Sequence, residues 1–336
     1  MFTNENKSLK NTLNKNPESI QSFNDLAKDS YAEILLDDTF CVFESINGGI
    51  YLIYSNKNKS IISLNVIKNQ KINEIKNAYK EYITNFRYYF DEINKRDLFI
   101  SISASDNNIK LWNFNNFSCL LNLEKVNLRG ELNSACFLNE NNSIYIITSS
   151  YCINSEPIKF FDLNGIKIKE LEDSEFRTIF IDTYYDKKLN KTYILTCNKG
   201  FVKSYDYINN ESKIYKNSSD EIEHCSLIIN DKKDIIELME SSDDGNIRIW
   251  NFHSGLIIKI INCCNNYVYG ITLWNEKYLF VGCEDEKIKL IDIDEGKIIK
   301  DFNGHDDSVL TIKTIVLPHY GKCLISSSMY NIKLWK

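Results

Sequence analysis

SDDGNIRIWN (242–251) runs from a polar turn through an isoleucine and a spacer to an apolar pair ending in tryptophan, then asparagine. The same phrase recurs as ASDNNIKLWN (104–113) and, more loosely, as NKSIISLNVI (58–67), SEPIKFFDL (155–163) and NKGFVKSYDY (198–207). It returns as EDEKIKLIDI (284–293) and MYNIKLWK (329–336). Aligning the phrases places Leu64, Trp112, Phe161, Tyr205, Trp250, Ile291 and Trp335 at one equivalent position, at successive intervals of 48, 49, 44, 45, 41 and 44 residues. A period of that length marks a repeat architecture whose unit is four short strands with their turns.

Within a unit the pattern is strand-like. The sixth reads YGITLW (269–274), YLFVGC (278–283), KIKLIDI (287–293) and KIIKDF (297–302), β-rich runs broken by short polar turns. A four-stranded sheet cannot bury both faces alone, so the units must stack, and closing them in a ring protects the sheets. The fold expected is all-β: a seven-bladed β-propeller of four-stranded antiparallel blades.

The phrases SDDGNIRIWN and ASDNNIKLWN resemble the WD-repeat signature, whose third strand ends in Trp-Asp, and Gly304-His305 resembles that family's Gly-His dipeptide at the start of a blade. The resemblance covers about residues 31–336, strongly in two repeats and by register in the other five. It implies a network of His, Ser or Thr, Asp and Trp within a blade. Blades two, five and six keep a turn carboxylate (Asp106, Asp244, Asp285), whereas blade seven has His305 and Trp335 with Met329 near the Asp place. No complete set is legible, so stability is expected to rest on apolar packing between blades.

The chain given stops at Trp335-Lys336, the end of a third strand, so an N-terminal strand is expected to complete blade seven. Tyr31–Leu36 is the candidate: it lies 28 to 33 residues before Leu64, and IIKIIN (257–262) lies 29 to 34 before Ile291. The propeller then spans 30–336 and residues 1–29 form a polar extension. Asn16-Pro17 with Ile20, Phe23 and Leu26 suggests a short helix at 17–28.

The formal charge of -6 is mild and argues against a general nucleic-acid binder, which needs a basic face. No run of apolar residues is long enough for a membrane span. The ten cysteines include no CxxC, and the four histidines are far apart, so neither a metal site nor a cofactor is expected. Reduced, buried thiols and a cytoplasmic setting are the reading these spacings favour. His224-Cys225 is poor as a catalytic pair, because adjacent strand residues point to opposite faces. No GxSxG, HExxH or phosphate-cradling glycine loop is present.

What remains is surface. Loops between blades and between second and third strands share one face of a propeller. There Glu172, Asp173, Glu175, Asp220, Glu221, Glu223, Asp243, Asp244, Glu284, Asp285, Glu286, Asp306 and Asp307 gather, with Tyr267 and Tyr269 as an aromatic anchor. The opposite face carries Lys95, Arg96, Lys187, Lys188, Lys191, Lys232, Lys233 and Lys277 among acids. Either the loop carboxylates are simply solvated or they form a recognition face for a basic segment of another protein. The resemblance implies a non-catalytic scaffold subunit of a multiprotein assembly. The alternative is a peptide or degron reader, although the Arg that ligase receptors of this family carry after Trp-Asp is replaced here by Asn115 and His253.

Overall fold

The recurring phrase is the third strand of every sheet. In a computed structural model, Leu64 pairs with Leu52, Trp112 with Phe99, Phe161 with Ile146 and Tyr205 with Ile194. Trp250 likewise pairs with Leu238, Ile291 with Leu279 and Trp335 with Leu324. In five blades the register against the outer strand shifts immediately before this residue, at Ser63/Leu64, Leu111/Trp112, Phe160/Phe161, Ile249/Trp250 and Leu290/Ile291. Such a bulge increases strand twist, and a blade needs that twist. The structure describes residues 19–22 and 40–335, except 57, 128–130, 152–155, 172–177, 199, 210, 217–224, 233 and 329–330; for 19–22, 151 and 225 only the backbone is described.

Seven four-stranded antiparallel sheets result. Their inner strands are Phe40–Glu44, Asn85–Asp91, Glu131–Glu140, Thr178–Asp186, Cys225–Asp231, Val268–Leu273 and Val309–Leu317. Each touches the inner strand of the next blade, and the last touches the first, so the ring closes. No helix occurs among the described residues, and so none long and apolar enough to cross a membrane.

Strand alternation divides each blade's side chains between two neighbours. Leu238 and Trp250 of blade five pack on Ile179, Leu195 and Val202 of blade four. Met239, Ile247 and Ile249 pack instead on Val268, Leu279 and Val281 of blade six. The same holds at every junction, giving seven apolar layers. Polar staples reinforce some layers. Asp97 of blade two, fully buried, accepts hydrogen bonds from the Ser45 hydroxyl of blade one at 2.5 Å and from Tyr88 at 2.7 Å.

An N-terminal strand does complete blade seven, but it is Ser19–Ser22, with Ser19 opposite Trp335, Gln21 opposite Leu334 and Ser22 opposite Lys333. The expected closing segment, Tyr31–Leu36, lies outside the described residues. Residues 19–22, within the stretch expected to be helical, are extended and belong to the propeller, while 17–18 and 23–28 lie outside the described residues. An outer strand pairs one backbone edge and leaves its side chains largely in solvent, as Gln70–Ile75 and Lys167–Leu171 do. A polar Ser-Ile-Gln-Ser run therefore serves, and apolar content is a poor guide to the seam.

The expectation of uniformly reduced thiols fails at Cys197, which is disulfide-bonded. Disulfides join residues that are close in space, which sequence spacing does not report.

Blade seven also holds the polar network that was not legible in its sequence. Trp335 Nε1 donates to Ser326 Oγ at 2.7 Å, Ser326 Oγ lies 2.6 Å from His305 Nε2, and His305 Nδ1 lies 2.7 Å from Asn331 Oδ1. Asn331, not the residue at 329, fills the Asp place. A Cβ on Gly304 would come within 2.6 Å of the Trp335 ring, which explains the glycine before His305. Because the hydroxyl accepts from the indole, its own proton goes to Nε2, and the imidazole is neutral with its proton on Nδ1.

Burial, then the nearby Lys333 charge, pushes the His305 pKa down to about 4 from an ordinary 6.5. Below the ordinary value the unfolded chain takes up a proton that the folded chain refuses. Stability from this group is therefore full above pH 6.5 and lost as pH falls toward 4. We expect the wild type to lose about 2 kcal/mol more than His305→Gln between pH 7 and pH 5 in urea unfolding. Parallel pH profiles for the two proteins would contradict this.

Candidate functional site

The loop face on which the acidic residues were expected to gather is built partly of carboxylates used internally. Asp106 accepts the backbone N–H groups of Lys80 and Glu81, both at 2.9 Å. Asp244 pairs with the buried Arg248 guanidinium; burial raises its pKa, but hydrogen bonds from Arg248 and Asn246 outweigh this and hold it below the usual carboxylate range. Asp285 pairs with Lys289 at 2.7 Å.

These pairings expose a device that the repeat phrase contained unread. Two places before each aligned residue from blade two onward stands a basic side chain: Lys110, Lys159, Lys203, Arg248, Lys289 and Lys333. Lys110 donates to Ala78 O at 2.5 Å, Lys159 to Val126 O at 2.8 Å, Lys289 to Cys263 O at 2.7 Å and Lys333 to Gly304 O. Each ties the third strand to the connection entering its own blade. The recurrence of Lys or Arg at one register was the available signal.

Three of the expected site residues, Tyr267, Tyr269 and Asp307, come together at blades six and seven. The Tyr267 ring stacks on Tyr269 with centroids 5.7 Å apart and planes 16° apart. Tyr267 is 38% exposed, whereas Tyr269 is buried. Glu284 N–H donates to Tyr267 O at 3.0 Å, which fixes the turn carrying the outer ring. Burial, and then the Glu284 charge, push the Tyr269 hydroxyl up to about 12, so it stays protonated at neutral pH. Asp307 accepts the Ser308 N–H at 2.6 Å; Asp306, its side chain 76% exposed, pairs with Lys333 at 3.8 Å and accepts from Asn331 Nδ2 at 3.1 Å. Sequence reasoning placed Glu284 on this face; the structure puts it beside the ring pair. Glu172, Asp173, Glu175, Asp220, Glu221 and Glu223 all lie outside the described residues.

The opposite face is differently arranged. Arg96 pairs with Asp91 at 2.8 Å, Lys191 with Asp206 at 2.6 Å and Lys277 with Asp292 at 3.2 Å. Lys232 bridges Glu237 and Asp294, both at 3.1 Å. These four cations are thus compensated locally, while Glu284 and Asp307 lie beside an accessible aromatic face. That combination suits a guanidinium or ammonium group, which gains from both the ring quadrupole and the anions. Among the described residues no group of three or more His, Cys, Asp or Glu is placed to hold a metal ion. No family model matches the chain, and no curated protein matches it.

Proposed function

We propose that this propeller is a non-catalytic protein-interaction scaffold of the WD-repeat type, docking a basic segment of its partner on the loop face around Tyr267. The observation that carries the reading is the stacked Tyr267–Tyr269 pair flanked by Glu284 and Asp307 on the loop face. The Trp335–Ser326–His305 chain and the Gly304 contact support kinship with WD repeats, because they are what the sequence resemblance implies. A scaffold within a stable assembly is the first reading, and a reader of exchanging peptide motifs the second. The accessible aromatic ring favours the second for any single basic motif. The disulfide at Cys197 removes one support for a cytoplasmic setting, and the proposal does not depend on compartment.

The test is a pulldown from native extract, followed by association kinetics with the partner recovered. Glu284→Lys with Asp307→Lys should slow association at least tenfold, and added salt should narrow the difference. The control, Lys95→Glu with Lys187→Glu on the other face, should bind as wild type. A control that loses binding while the loop-face variant keeps it would place the partner on the opposite face.

A further inference from the structure

The outer strand of a blade ends its sheet, and its row of unpaired N–H and C=O groups invites another strand unless charges block the edge. Blades one, three, four and six carry such charges. Lys71 pairs with Glu74, Lys167 with Glu170 and Asp301 with Lys287, and the outer strand of blade four holds Lys213 and Lys216. Ser118–Leu123 of blade two is uncharged, but it exposes only Leu120 among its leucines and lays Leu121 and Leu123 against Gly165. Blade five differs. Its outer strand, Ile257–Asn262, reads Ile-Ile-Lys-Ile-Ile-Asn and pairs, among the described residues, with Asn246–Asn251 alone. Ile257, Ile258 and Ile260 are all exposed, Ile260 by 54%. Lys259 is no barrier, because its Nζ is drawn off the edge onto Ile293 O at 3.0 Å and Asp294 O at 2.5 Å of blade six.

Strand alternation decides which backbone groups are free. Asn251 N–H donates to Leu256 O, while Phe252 N–H donates to Ile236 O on the other side. The odd-numbered residues of Asn246–Asn251 therefore address the outer strand, where Ile249 stands opposite Lys259 and Ile247 opposite Ile261. Lys259 and Ile261 thus spend their backbone groups inside the blade. Facing outward are the Ile258 C=O, both groups of Ile260 and the Asn262 N–H. The Lys259 and Ile261 side chains go to blade six, so those of Ile258 and Ile260 lie on the other side of the sheet.

We propose that this edge is an interaction surface for a second copy of the chain, paired antiparallel about a two-fold axis at Ile260. Each Ile260 exchanges both backbone bonds with its counterpart, and each Asn262 N–H meets the Ile258 C=O of the other copy. Every outward group is satisfied, and Ile260 rests on Ile260. Each Lys259 stands opposite an Ile261. Centring the pair on Lys259 would instead set two lysines face to face, which is destabilising. The edge offers a charged peptide no counter-charge, whereas an identical apolar edge matches it group for group. The contact is isologous, so it closes as a dimer in which two four-stranded blades form one sheet. It lies on the rim and does not depend on the loop-face reading.

An edge pairing is small, so the dimer should build up across micromolar concentrations and dissociate on dilution. Sedimentation equilibrium of the full chain is expected to show a mass rising from 39.2 kDa toward twice that value. Ile258→Lys with Ile260→Lys, both at exposed sites, should weaken dimerisation at least about a hundredfold and leave monomer unfolding as in wild type. Ile214→Lys, on the exposed outer strand of blade four, should dimerise normally. In the unaltered protein, amide exchange at Ile260 and Asn262 should slow at least about tenfold as the dimer forms. A chain that stays monomeric throughout, a dimer indifferent to the double substitution, or a dimer whose edge amides exchange as in the monomer would overturn the proposal. So would protection of this edge only in a complex with a different protein, which would give it another occupant.

Discussion

Replacing Trp112 or Trp250 with alanine is expected to cost about 3–5 kcal/mol each, the range for emptying a large buried aromatic site. Both rings are nearly inaccessible, at 5% and 4% exposure. Trp112 lies in the layer between blades one and two, stacked on Phe99, and its Nε1 donates to the Ser101 hydroxyl at 2.8 Å. Trp250 fills the layer between blades four and five, edge-on to Tyr215, with Nε1 3.4 Å from the buried Glu240 carboxylate. Truncation therefore leaves a cavity and strips a buried acceptor of its donor. Denaturant unfolding measures the loss. A cost under about 1 kcal/mol at both sites would mean that the repeat register is wrong.

Gly245→Ala is expected to cost about 2–4 kcal/mol, for two separable reasons. Its φ of +81° lies in the left-handed region, where a side chain is strained. A Cβ there would also lie 2.1 Å from Cys264 O and 2.8 Å from Asn266 O, both backbone atoms of the connection to blade six. Gly48→Ala is the internal control. Its φ is +75°, but nothing lies within 4 Å of the added Cβ, so it should lose only about 1 kcal/mol. Equal losses at the two positions would contradict the close approach of the blade-six connection.

The sequence made the ring legible because the fold repeats its strongest constraint. The position shared by Leu64 through Trp335 is buried in all seven blades, and each must be apolar to fill an interblade layer. The seam was not legible, since an outer strand such as Ser19–Ser22 is held through its backbone edge, and that edge imposes little on residue type. The blade-seven network was missed because Asn331 can accept the His305 bond as an aspartate would, without its charge. The basic residues of the repeat phrase passed unread because a lysine in a strand reads as solvent-facing, whereas Lys159 and Lys289 are buried on backbone carbonyls. At the candidate site, Tyr267 and Tyr269 were legible as aromatics near a loop. Their stacking, and Glu284 as neighbour, depend on which turns the ring brings together.

Amide hydrogen exchange of the protein alone and saturated with the partner recovered by pulldown tests the proposed docking face most directly. Binding at the Tyr267 cluster should slow exchange in the connections at 263–269, 284–287 and 303–308, and leave the opposite-face turns at 207–211 and 252–256 unchanged. Protection confined to those opposite-face turns, or to the outer strands, would contradict it.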